Sequence, residues 1–209
     1  MALGVKRRRK PADRLRERER YLLTCGQVLR MVEAGILPEG EKIELLDGVL
    51  YKMTKGELHN AIVGAVADAL RRVTPEGFLV REEKSSYADE GSLPEPDVAV
   101  CQGPRFAYLP DLPPLEKLAL VVEVSHHSYQ TDSTQKLAKY AAGGVPCYWI
   151  VDVAGRRVLV YRGPETVGGV GRYGSLSTFK PGDALDVEIG GRVRGQVQVC
   201  DLFPPEPQT

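Results

Sequence analysis

Residues 116–153 read EKLALVVEVSHHSYQTDSTQKLAKYAAGGVPCYWIVDV, and their pattern is strand, polar loop, helix, strand. The run Leu118 to Val124 is almost wholly apolar and rich in valine, as a strand covered on both faces is. Glu123 sits near its end, in surroundings where a carboxylate needs a partner. After the loop, Thr131 or Asp132 is placed to cap a helix whose apolar positions Leu137, Tyr140 and Ala141 recur at helical spacing. Gly143-Gly144 stop that helix and Pro146 prevents its resumption. Cys147 to Val153 is again a short, buried type of strand. The pattern predicts a crossover unit whose polar ends meet at one edge, where function in such units gathers.

Upstream, Thr24 to Ile36 reads as a helix with Val28, Leu29, Val32 and Ile36 as its apolar stripe and Thr24 as its cap; Pro38 and Gly40 end it. In KIELLDGVLYKM, Lys42 to Met53, Asp47-Gly48 separates two strand-like arms and signals a hairpin, with Glu44 on the first arm. Glu57 to Val73 follows as a helix with one continuous apolar face, and His59 in its first turn lies beside that face. Phe78 to Tyr87 reads as a strand with one solvated side or an edge. The turn-rich GSLPEP, Gly91 to Pro96, leads into the short strand 97–101, which opens with Asp97 directly after a proline. Residues 103–114 are a proline-rich surface loop. Downstream, 157–162, 172–179, 184–187 and 193–199 read as short strands of an antiparallel addition, and residues 201–209 as a proline-rich tail.

A chain of 209 residues suits one well-cored domain, here 21–200. No apolar run is long enough to cross a bilayer, and no apolar segment follows the basic N-terminal residues, so the expectation is a cytoplasmic protein without a membrane span. The four cysteines are scattered, without the close pairs of zinc or redox motifs. The net charge of zero hides an asymmetry. Residues 1–20 hold nine Lys/Arg against three Asp/Glu, a net of +6, and the other 189 residues carry −6. That basic stretch reads as a disordered tail able to attract phosphates without regard to sequence, or simply as a solvated end.

Asp97 and Glu123 lie on consecutive predicted strands, so pairing of those strands brings the two carboxylates to one sheet edge. Two anionic groups held close share a proton or bind a cation. A hard divalent ion fits: magnesium takes one or two carboxylates at about 2.1 Å and keeps room for water and a phosphate. The Val124 carbonyl can complete the set. Lys136 would place a positive charge near the same edge, to orient water or neutralise charge developing on phosphorus. In isolation, Asp132 and Lys136 at i, i+4 read as an ordinary helix ion pair. His126 and His127, just past Glu123, read as solvated loop residues.

The order of elements, the Pro96-Asp97 step, Glu123 in Glu-Val-Ser and the downstream Lys136 resemble the PD-(D/E)XK nuclease superfamily. More closely, IELLDGVL with the following His59, EPDVAV, LVVEVS and DSTQKLAKYAAGGVPCYWIVD resemble the Uma-type family of restriction-endonuclease-like proteins, over roughly residues 24–190. The resemblance implies an α/β fold with a restriction-endonuclease-like αβββαβ core, a mixed central sheet flanked by helices. It implies Asp97 and Glu123 as metal ligands for Mg2+ or Mn2+ and Lys136 as the catalytic lysine. Glu44 and His59 match the family's N-terminal acidic and histidine positions in supporting roles, as Asp132 does in the helix. One departure from the wider superfamily is Ser125, which stands where the general motif has lysine. The expected activity is metal-dependent hydrolysis of DNA phosphodiester bonds, with DNA as partner and a homodimer suited to cutting two strands. The rival expectations are a non-cleaving DNA-binding or regulatory protein on the same scaffold, and a hydrolase of another phosphodiester.

Overall fold

The computed structural model describes residues 20–205 except residue 39. The predicted basic tail, apart from Arg20, and the last four residues of the proline-rich tail lie outside the described residues. The centre is a six-stranded sheet in the order β3-β4-β5-β6-β7-β8, formed by β3 (Phe78–Glu82), β4 (Val98–Gln102), β5 (Leu118–Ser125), β6 (Cys147–Asp152), β7 (Arg157–Val167) and β8 (Val170–Phe179). All neighbours are antiparallel except β5 and β6, which pair in parallel with Glu123 opposite Ile150. This is the predicted crossover.

The two faces of the sheet are covered separately. On one face lies α2 (Glu57–Val73), whose Ile62, Val66 and Leu70 pack with Val98, Val100, Leu120, Val122 and Trp149. The other face carries Tyr140, from the helix between β5 and β6, packed with Ala99, Val121, Tyr148 and Ile150. Burial on both faces is why β5 and β6 are continuous apolar runs.

Several expectations need correction. The predicted antiparallel addition is present in two parts: β7 and β8 extend the central sheet, with Val158 and Val160 in one core and Leu159 in the other. The other two strands of that addition, β9 (Ala184–Ile189) and β10 (Arg192–Gln198), form a hairpin apart from the central sheet, which seals the α2 side with Leu185, Val187 and Ile189. Strand β3 stops at Glu82 because Glu83 takes a φ of 48°, outside the extended region. Helix α1 (Cys25–Glu33) has its predicted cap, Thr24, in a reciprocal capping box with Gln27. Of its proposed stripe only Val28 is buried, while Leu29, Val32 and Ile36 are exposed. The hairpin of β1 (Ile43–Leu46) and β2 (Val49–Lys52) turns at Asp47-Gly48, both at positive φ (49° and 79°), as a two-residue loop requires.

The crossover helix α3 begins with an α-turn at Tyr129–Thr131, passes through a π turn at Asp132–Lys136 and finishes as α-helix at Leu137–Ala142. It therefore starts before Thr131 and Asp132, and neither residue caps it.

Candidate active site

The site forms where the carboxyl end of β5 meets the beginning of β4. Strand alternation decides its orientation: Leu120, Val122 and Val124 enter the core under α2, and Val121 enters the core under α3, so Glu123 falls on the α3 side. There Glu123 Oε1 accepts hydrogen bonds from Lys136 Nζ (3.1 Å) and Tyr140 OH (2.6 Å). Lys136 Nζ also lies 2.9 Å from Glu44 Oε2 on the hairpin. Glu44, Glu123 and Lys136 are all buried, so Glu44 does not face water, and the lysine from the following helix does reach the strand edge.

Asp97, immediately before β4, is buried as well. Its Oδ2 accepts from the Val124 amide (2.8 Å) and lies 3.1 Å from His59 Nε2, and its Oδ1 accepts from Lys55 Nζ (2.9 Å). His59 is held inside by the first turn of α2, with Nδ1 buried and without a hydrogen-bond partner among the described residues. The Val124 amide points toward Asp97, whereas the Ser125 carbonyl accepts from the Val153 amide on the β6 side (3.1 Å). A strand residue's N–H and C=O leave on the same side. The last β4–β5 pair is Val98 with Val122, so the Val124 carbonyl projects past the ladder's end on the Asp97 side.

Asp132 and Lys136 do not form the ion pair that their spacing suggests. Asp132 Oδ2 accepts from Ser125 Oγ (2.6 Å) and Ser128 Oγ (2.5 Å), and its carbonyl accepts from Tyr148 OH (2.9 Å). Asp132 thus braces the helix start against the end of β5, and Ser125, at the superfamily's lysine position, is part of that brace. Asp132 Oδ1 is buried without a hydrogen-bond partner among the described residues.

The electrostatics follow from four carboxylates, Glu44, Asp97, Glu123 and Asp132, sharing one buried region. Burial pushes the Glu123 carboxyl well above the usual carboxylate range, Lys136 opposes the shift, and the Asp97, Asp132 and Glu44 charges add to it. Burial likewise raises Asp132. For Lys136, burial alone would lower the value, but the charges of Glu123, Glu44, Asp132 and Asp97 outweigh it and hold the ammonium above its ordinary value. Asp97 goes the other way: burial would raise it, yet the His59 hydrogen bond and the Lys55 charge carry it below the ordinary range.

All seven predicted residues line a single cavity of about 500 Å3, with Lys55, and with His126 and His127 on its exposed rim. A separate cavity of about 480 Å3 beside Asp47, Asp89 and Lys139 contains none of them. The sequence reading missed Lys55 and the polar role of Tyr140. Tyr140 was legible in principle, since a buried tyrosine needs a partner for its hydroxyl. Lys55, in the segment between β2 and α2, carries no local signal.

Among the described residues no group of three or more His, Cys, Asp or Glu side chains is arranged to hold a metal ion. Magnesium does not require three, because it keeps most of its waters. The donors here are all oxygens: Asp97, the Val124 carbonyl, and Glu123, whose Oε2 accepts no hydrogen bond among the described residues. The set fits a small hard cation, which would relieve the crowding of carboxylates.

The family model described as "Uma2: Putative restriction endonuclease" matches residues 26–192. No curated protein matches the chain. Four solved chains do. One, from the crystal structure of "a putative nuclease belonging to DUF820" from Anabaena variabilis, is similar over 87% of this chain and 97% of its own, with a TM-score of 0.63 and 20% identity. At that identity the likeness is one of fold, a mixed central sheet flanked by helices.

Proposed function

The chain belongs to the Uma2 family of restriction-endonuclease-like proteins, and from that premise we propose that it is a metal-dependent endonuclease hydrolysing DNA phosphodiester bonds. One observation carries the reading: Asp97, Glu123 and Lys136, from three separate segments, meet in one buried, carboxylate-rich cavity. Asp97, Glu123 and the Val124 carbonyl would hold Mg2+ or Mn2+. When bound, such an ion supplies Lewis acidity toward a phosphoryl oxygen and lowers the pKa of water.

The chain's own groups do the rest. The Val124 amide and His59 fix the rotamer of Asp97. Tyr140 and Lys136 hold Oε1 of Glu123 and leave Oε2 for the ion. Glu123 and Glu44 favour the ammonium form of Lys136, so its part is to neutralise negative charge building on the phosphoryl oxygens rather than to accept a proton. Glu44, on the hairpin, pairs with that same ammonium.

The test is plasmid cleavage by the purified chain with magnesium, manganese, calcium or chelator, beside Glu123→Ala and Lys136→Ala. Cleavage that needs magnesium or manganese and falls at least about 100-fold in both variants is the expected result. Cleavage surviving both substitutions sinks the site assignment. A second reading, a DNA-binding protein that does not cut, draws on the engagement of both carboxylates by lysines. It predicts DNA affinity unchanged in Lys136→Ala and no cleavage in any metal. Turnover of small phosphodiesters in preference to plasmid would instead identify a hydrolase of another phosphodiester.

A further inference from the structure

Lys55 lies in the cavity wall between β2 and α2, its side chain 9% exposed. Three carboxylates converge on its ammonium: Asp97 Oδ1 at 2.9 Å, Glu83 Oε1 at 3.1 Å and Glu95 Oε1 at 3.8 Å. Glu95 Oε1 is buried and accepts no hydrogen bond among the described residues, so charge alone relates it to the lysine. Asp97 therefore has two working sides. Its Oδ2 meets the Val124 amide and His59, and its Oδ1 meets Lys55. Hydrolases with two metal ions set them about 3.5–4 Å apart, commonly bridged by a carboxylate. Here the far side of the candidate bridging carboxylate already holds a cation, and it is part of the chain.

We propose that the Lys55 ammonium takes the place of a second metal ion, neutralising the outer side of Asp97 and limiting the site to a single divalent cation between Asp97 and Glu123. The inference rests on the metal-dependent reading above. An ammonium suits the role because its three N–H groups serve several acceptors at once and its charge survives removal of free metal. It also repels a divalent ion from the space it fills. Without it, Glu83, Glu95 and Asp97 would form an acidic group short of positive charge, which is unfavourable out of water. Lys42 also pairs with Glu83, but its side chain is 39% exposed and it meets only the outermost of the three. Lys55 is thus a positioning residue, acting through Asp97.

The experiment counts bound Mn2+ on the full chain by calorimetric titration, with electron paramagnetic resonance of free Mn2+ as a second readout. Wild type is compared with Lys55→Met, Lys55→Gln and Lys55→Arg, each checked for folding by circular dichroism. Wild type and Lys55→Arg are expected to bind one ion. Lys55→Met and Lys55→Gln are expected to bind two, the second lost again when Glu95→Gln is added. Should Lys55→Met not fold, Lys55→Gln, which keeps a donor toward Asp97, carries the same comparison. Two ions in wild type, or one in the folded neutral variants, overturns the inference while leaving the metal-dependent reading intact. No ion in wild type overturns that reading and this inference with it.

Discussion

Asp97 and Glu123 are both buried carboxylates, yet their neighbours drive them in opposite directions. Glu123 feels the charges of three further carboxylates, Asp97, Asp132 and Glu44, whereas Asp97 is held by His59 and Lys55 against the cost of its burial. The Asp97 carboxyl lies below its ordinary value of 3.8 in the folded chain. It therefore contributes stability that is present above pH 3.8 and is lost as pH falls through the depressed folded value. His59→Ala removes one donor and moves that folded value back up. The expected outcome, in metal-free buffer, is acid unfolding that begins at a higher pH than in wild type, followed by circular dichroism. An unchanged acid transition would show that Lys55 and the Val124 amide suffice to hold Asp97 ionised.

At the scale of elements, the device that matters is the π turn in α3. A π turn is one extra residue accommodated within an α-helix. Here it presents Asp132 to Ser125 and Ser128, and Lys136 to Glu123 and Glu44. The second half of the helix is pinned by β8, where Gly171 packs so closely that an added Cβ would run into the Ala138 carbonyl and the Ala142 backbone. Gly171→Ala must push the helix and strand apart. Overpacking of this kind costs about 1–3 kcal/mol, to be read from urea unfolding, and the displaced helix also draws Lys136 and Tyr140 from Glu123. Nuclease activity is expected to fall further than the loss of stability explains. Wild-type stability in Gly171→Ala would mean that the helix can shift without cost.

For the whole molecule, charge is divided along the chain rather than balanced within it. The +6 carried by residues 1–20 opposes −6 on the remainder, and the cavity is rich in carboxylates. With four carboxylates set against three lysines in its lining, the cavity has no excess of positive charge to attract a phosphate backbone, so DNA binding needs a metal ion, a basic segment, or both. Removing residues 1–19 is expected to weaken binding to duplex DNA and to flatten the fall of affinity with salt, by about 0.9 in the log–log slope for each phosphate that the tail neutralises. Mn2+ stoichiometry should not change. A salt slope equal to that of the full chain would exclude the tail from DNA binding. No helix among the described residues is long and apolar enough to cross a membrane.

The sequence alone determined the core of this fold, because its signals there are local. The doubly covered strands β5 and β6 are continuous apolar runs, the face of α2 repeats at helical spacing, and Asp47-Gly48 has the chemistry of a tight turn. It also marked Asp97, Glu123, Lys136, Glu44, His59 and Asp132, through charged residues set in apolar elements and through the family resemblance. Tertiary structure decided what each of them does. The pairing of Asp132 with two serines, the grip of Tyr140 on Glu123 and the insertion of Lys55 between Asp97, Glu83 and Glu95 join residues distant in sequence or turned by a helix irregularity. The exposed stripe of α1 and the extension of the sheet through β7 and β8 were decided there too, because which apolar face finds a partner depends on where other elements pack. Periodicity records that a segment has an apolar face; the surface that covers it, and the partner of each buried charge, exist only once the chain has folded.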